Sequence, residues 1–102
     1  MYYFVYFDPR EGIARESLVK AYSRYAEYFE KKMPRFRFTG LYGRYSLLGS
    51  RQGYVAIWEF SGYSDIDEWK SLFARDKKGQ RLARDLRKLT TNWEAKIMSK
   101  LC

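Results

Sequence analysis

The chain has 102 residues and carries 20 Lys and Arg against 12 Asp and Glu, a net charge of +8, together with ten Tyr, seven Phe and three Trp. With 46% apolar and 31% charged residues it reads as one globular domain over residues 1–102, long enough to close a core. His is absent, which excludes a Ser-His-Asp triad, a Cys-His dyad and an imidazole-held metal; the one Cys, Cys102, excludes an intrachain disulfide and a thiolate zinc site.

Residues 2–7 predict a strand, dominated by aromatic and β-branched types and ended by Asp8-Pro9. Tyr2, Phe4 and Tyr6 fall on one face and Tyr3, Val5 and Phe7 on the other, so the strand is expected at the centre of a sheet covered on both sides. This apolar start lacks a basic segment and is far too short for a membrane span, which points to a cytoplasmic protein with a reduced thiol. The single Asn and two Gln beside many ion-pair formers lean toward a thermophilic source. From Ile13 to Met33 the period becomes helical, with Ala14, Leu18, Tyr22, Tyr25, Phe29 and Met33 on one stripe and Pro34 as the stop. Residues 35–48 alternate again, with Phe36 and Phe38 on one side; Gly40 and Gly43 predict a bulge. A turn at Gly49–Gly53 leads to a strand from Tyr54 to Phe60, with Tyr54, Ala56, Trp58 and Phe60 opposite Val55, Ile57 and Glu59. Ser64 is the expected N-cap of a second helix with Ile66, Trp69, Leu72 and Phe73 on its inner stripe, broken at Gly79 and continuing through Leu82, Leu86 and Leu89. Trp93 to Leu101 closes the chain as an edge strand.

This order, β-α-β-β-α-β, defines an α+β fold of the ferredoxin-like kind, a four-stranded antiparallel sheet with two helices on one face. The other face is left uncovered by its own chain, and a second copy in a homodimer is the simplest cover for the apolar residues of the first strand.

Three groups of residues bear on function. The run Arg51-Gln52-Gly53-Tyr54-Val55-Ala56-Ile57-Trp58 has the basic-Gly-aromatic flavour of RNA-recognition strands, and the charge of +8 would add attraction to phosphates. A single-stranded nucleic-acid-binding module is therefore the alternative reading, weakened by Ala56, which stands where a second stacking aromatic belongs. Lys77, Arg81, Arg84 and Lys88 form a basic stripe that reads as the solvated face of a packed helix, with no membrane partner. Among the carboxylates, Glu59 stands out as a catalytic candidate because it follows Val55 and Ile57 on a strand face, where burial would perturb it; Arg44 is the matching charge on the neighbouring strand. Finally, Tyr22, Tyr25, Trp58 and Trp69 are candidate ligand-binding residues, aromatic walls of a pocket between helix and sheet with donors at their tips; plain core packing is the competing reading.

The stretch Tyr54-Val55-Ala56-Ile57-Trp58-Glu59-Phe60 followed by Ser64-Asp65-Ile66-Asp67-Glu68-Trp69, with the long first helix, the broken second helix and the closing strand at Trp93, resembles the dimeric α+β barrel superfamily, in particular its NIPSNAP-like and antibiotic-biosynthesis-monooxygenase-like branches. The resemblance covers nearly the whole chain and is one of layout. It implies two sheets paired into a barrel across a homodimer, a small molecule held between sheet and helices, and activities among cofactor-independent oxygenation of aromatic substrates, haem degradation and lactone isomerisation. Relatives with a helical His place it near this chain's Trp69, so the resemblance carries no haem role here and no cofactor is expected. The reading is thus a small homodimeric protein that binds an aromatic or apolar ligand, or acts as a cofactor-independent monooxygenase or isomerase with Tyr22, Tyr25, Glu59 or Asn92 as polar handle.

Overall fold

A computed structural model describes residues 1–43 and 53–102. Arg44, Tyr45, Leu48 and Arg51, with most of the turn expected at 49–53, lie outside the described residues. The elements run β1 (Tyr2–Pro9), α1 (Arg15–Lys32), β2 (Arg37–Gly43), β3 (Tyr54–Glu59), α2 (Tyr63–Arg75), α3 (Lys77–Leu89) and β4 (Thr90–Met98). The sheet order is β2-β3-β1-β4 with every neighbouring pair antiparallel, the ferredoxin-like arrangement. Strand β1 is central, as its two apolar faces require. No helix among the described residues is long and apolar enough to cross a membrane.

The helices cover the sheet face that carries Tyr3, Val5 and Phe7 of β1 with Tyr54, Ala56 and Trp58 of β3. From α1 come Leu18, Tyr22, Ala26 and Phe29, all buried. Phe7 has no exposed surface and is the hub of this layer: its ring stacks on Trp93 at 4.7 Å, Tyr22 at 5.7 Å and Tyr54 at 6.0 Å. Such ring pairs each add about 0.5–1.5 kcal/mol beyond their area. On the other face Tyr2, Phe4 and Tyr6 form a half-buried aromatic ladder beside Val55 and Ile57, with no element of the chain above them among the described residues.

Four local expectations are corrected. First, β1 runs on to Pro9, because the Asp8 carboxylate accepts the Gly53 backbone N–H at 2.6 Å and the Asn92 side-chain amide at 3.1 Å, tying the strand end to both neighbours. Second, the second helix begins at Tyr63 with Gly62 rather than Ser64 as N-cap; the buried Asp65 carboxylate, at the third helical position, reaches back to accept the Ser61 and Gly62 backbone N–H groups and so fixes the start earlier in the chain than Ser64 would. Third, that helix breaks at Asp76 instead of Gly79, leaving three helical segments on the face. The Asp76 carboxylate accepts the Gly79 N–H at 3.1 Å and the Tyr28 hydroxyl at 2.6 and 2.7 Å, so it starts α3 and pins it to α1. The Tyr28 hydroxyl foremost, then the Gly79 amide, holds the Asp76 carboxyl below the usual carboxylate range. Fourth, β4 starts at Thr90 and ends at Met98.

The bulge expected in the second strand falls between Phe38 and Gly40. A second one, absent from the sequence reading, sits in β4: the register passes from Tyr6↔Glu94 to Asp8↔Thr91, so Asn92 and Trp93 together face Phe7. Asn92 adopts φ 57°, a left-handed conformation that Asn tolerates better than most residues. The extra residue reverses the facing of the strand before it, turning Thr90 inward opposite Pro9, while Trp93 faces the helices with Ala95 and Ile97 by ordinary alternation and stacks on Phe7.

Gly79 is inside α3, buried, because α3 packs directly on Phe29: a Cβ at position 79 would stand 2.5 Å from the Phe29 ring tip. Gly79→Ala gains about 1 kcal/mol of helix propensity and meets an overpacking cost of about 1–3 kcal/mol against a ring that is itself enclosed. The variant is expected to melt several degrees below the wild type in a thermal scan; a higher melting temperature would contradict this packing.

Candidate functional site

A cavity of about 600 Å3 opens between the helix-covered face of the sheet and the helices, within the roughly 300–1,000 Å3 range of small-molecule sites. Its floor comes from Tyr3 and Val5 of β1 and Trp58 of β3, its roof from Tyr22 and Tyr25 of α1 and Trp69 and Phe73 of α2. Ala83, Leu86 and Arg87 of α3 and Trp93, Glu94 and Ala95 of β4 form the side nearest the sheet edge. All three tryptophans of the chain border this one space.

The four candidates Tyr22, Tyr25, Trp58 and Trp69 are brought together here, although they come from three separate elements. The Trp58 indole N–H donates to the Tyr22 hydroxyl oxygen at 3.1 Å, and the Tyr25 ring stands edge-on to Trp58 at 6.4 Å. Tyr22 is 2% exposed. Burial pushes the Tyr22 phenol far above the ordinary tyrosine value, helped by the neighbouring Tyr25 and opposed by the Trp58 hydrogen bond. Tyr25 is pushed up in the same way, first by burial and then by Tyr3, while the Arg87 guanidinium pulls it down; burial also raises Tyr3. These phenols stay protonated at neutral pH and serve as hydrogen-bond donors. The Trp93 wall is fixed by a relay, its indole N–H donating to the Thr90 hydroxyl at 2.7 Å and that hydroxyl to the Leu86 carbonyl at 2.6 Å.

Glu59 is not part of this space. Strand alternation places it with Val55 and Ile57 on the opposite face, where it accepts a hydrogen bond from Arg37 at 2.7 Å and is 37% exposed. Its expected partner Arg44 lies outside the described residues. Asn92 likewise serves the Asp8 contact at the bulge. Tyr54, the base-stacking candidate of the nucleic-acid reading, is 8% exposed and faces the helices, with the Arg15 guanidinium 5.4 Å from its ring centroid and donating to its hydroxyl at 2.8 Å. The basic stripe Lys77, Arg81, Arg84 and Lys88 is exposed, as a solvated helix face should be.

Sequence reasoning missed Tyr3, Arg87 and Trp93 as lining residues. Ala83, Leu86 and Arg87 do follow one another at helical spacing on a single side of α3, a signal that Arg87 shares the inner flank of the helix. Trp93 shares the helix-facing side of β4 with Ala95 and Ile97, and their alternation with Glu94 and Lys96 is the signal that could have placed it.

No protein-family model matches the chain, and no curated protein matches its sequence. Solved structures do match in shape. A NIPSNAP family protein of unknown function from Agrobacterium tumefaciens superposes with TM-score 0.66 at 23% identity, covering 95% of this chain and 84% of that one. An uncharacterised NIPSNAP domain protein from Burkholderia xenovorans gives TM-score 0.71 at 15% identity, with 100% and 98% covered. A dimeric protein of unknown function with a ferredoxin-like fold from Bacteroides fragilis gives 0.64 at 13%, with 92% and 89% covered. The fold of this chain is that of NIPSNAP-like and ferredoxin-like proteins, and the resemblance read from its sequence holds at that level.

The raised phenols fix a sign for alkaline pH. A tyrosine whose folded value exceeds its unfolded value of about 10 contributes stability that is complete below about pH 10 and is lost as pH rises toward the folded value. The melting temperature is expected to fall above about pH 10, and Tyr22→Phe to flatten that fall. An absorbance titration in which all ten tyrosines ionise together near their ordinary value in the folded protein would contradict the burial of this cluster.

Proposed function

We propose that this protein binds a small, largely aromatic molecule in the cavity between sheet and helices, and that it does so as a homodimer. The observation that carries the binding reading is the enclosure of about 600 Å3 by aromatic side chains from five elements, with phenol donors at Tyr3, Tyr22 and Tyr25. Ligand sites combine this kind of apolar wall with a few placed polar groups. Supporting the dimer are the aromatic ladder Tyr2, Phe4 and Tyr6 on the open sheet face and the Bacteroides fragilis neighbour, which is described as dimeric. A second copy laid on that face would cover the ladder and leave the cavity, on the far side of the sheet, untouched.

A cofactor-independent oxygenase or isomerase would use the same cavity. The protonated phenols favour donation to a ligand oxygen over proton abstraction, and Glu94, the acid among the lining residues, is paired with Tyr6 in the sheet and is 3.4 Å from Lys96, whose ammonium lies over the Tyr6 ring on the opposite face. The cavity's groups thus suit binding better than proton-transfer catalysis.

Naphthol is a suitable probe, being flat, aromatic and a hydrogen-bond partner for phenols. With three tryptophans around the cavity, its titration is expected to quench tryptophan emission saturably, and Ala83→Phe, which fills the space from α3, to weaken binding about tenfold or more, a difference of about 1.4 kcal/mol. Unchanged affinity in a folded Ala83→Phe protein would place the bound molecule elsewhere and end this reading.

A further inference from the structure

Two charged residues, Arg87 and Glu94, stand among the cavity's lining, and the register of β4 pairs Glu94 with Tyr6, whose ring lies on the opposite face of the sheet. Arg87 is the only cation among the lining residues, and its guanidinium lowers the Tyr25 phenol that burial otherwise raises, so the two groups border the same space. Arg87 forms no ion pair among the described residues, and neither the Tyr25 hydroxyl nor the Trp69 indole N–H has a hydrogen-bond partner among them. The nearest acid in the lining, Glu94, stands within ion-pair distance of Lys96. An arginine and a phenol, both donors, thus border a cavity whose remaining walls are mostly aromatic and aliphatic.

We infer that the ligand is an aromatic carboxylate, its rings against Trp58 and Trp69 and its carboxylate at Arg87 and Tyr25. This rests on the reading of the cavity as a ligand site and names the class of molecule that site selects. The planar guanidinium matches a carboxylate in a two-pronged, charge-assisted hydrogen bond. A single cation in the lining suits a monoanion and leaves a phosphate dianion under-neutralised. The aromatic walls reject a small aliphatic acid, which would leave most of the cavity unfilled.

The test compares naphthoate with naphthamide, of nearly the same shape and without the charge, by calorimetry on the wild type, Arg87→Met, Arg87→Lys and Arg84→Met. Arg87 is exposed, and melting curves confirm that each variant is folded. In the wild type naphthoate binds about tenfold or more tighter than naphthamide, the size expected of a charge-assisted contact. Arg87→Met abolishes that preference and leaves naphthamide affinity within about twofold, Arg87→Lys retains part of the preference, and Arg84→Met on the outer basic stripe retains all of it. Equal affinity for the two compounds in the wild type, or a preference that survives Arg87→Met, overturns the inference while leaving the cavity reading intact. A preference lost equally in Arg84→Met shows general attraction to a basic protein and also overturns it. If neither compound nor naphthol binds the wild type, the cavity reading itself falls.

Discussion

The architecture depends on one strand having to be buried twice. β1 carries an aromatic or β-branched residue at every position from Tyr2 to Phe7, so neither of its faces can be left to water without cost. The chain meets half of this demand itself: three helical segments close over Tyr3, Val5 and Phe7, and Phe7 becomes the fully enclosed hub on which Tyr22, Tyr54 and Trp93 stack. The Tyr2, Phe4 and Tyr6 face is the unmet half. Its rings shield one another, and Lys96 lies 5.7 Å from the Tyr6 ring centroid, yet all three remain only half-buried.

Why the closed side keeps a hollow follows from two local irregularities. The break at Asp76 splits one long helix into α2 and α3, each free to lie at its own angle, and the Tyr28 hydroxyl holds the break against α1. The extra residue in β4 turns Thr90 to the helix side, where its hydroxyl accepts the Trp93 indole N–H and holds that ring, stacked on Phe7, as a wall of the opening. The remaining space is bordered by rings whose polar tips are fixed, as with Tyr22 and Trp58, or left with donor capacity, as with Tyr25. The two faces of one sheet therefore differ: one is shaped around a cavity, and the other carries a half-buried aromatic ladder.

Much of this was legible in the residues themselves. Period-two and period-3.6 patterns gave the order of elements, the central place of β1, the bulge near Gly40 and the convergence of Tyr22, Tyr25, Trp58 and Trp69, because those signals are set by side-chain facing alone. What escaped were features decided by contacts distant in sequence. The helix break was assigned to Gly79 on local propensity, whereas Asp76 wins it with a tyrosine 48 positions away. Gly79 is needed instead for the close approach of Phe29. Glu59 looked poised for burial on its apolar strand face; that face is the open one, and Arg37 answers the charge. Tyr54 carried the nucleic-acid resemblance in its flanking Gly53, but alternation turned its ring beneath Arg15.

The claim that most of the account rests on is that the second face of β1 is closed by another copy of the same chain. Multi-angle light scattering on the wild type and on Phe4→Lys, which puts a charge in the middle of the ladder and far from the cavity, tests it directly. The account predicts twice the mass of the 12.3 kDa chain for the wild type at micromolar concentration and a folded monomer for Phe4→Lys. A wild-type protein that runs as a stable monomer across that range would contradict it.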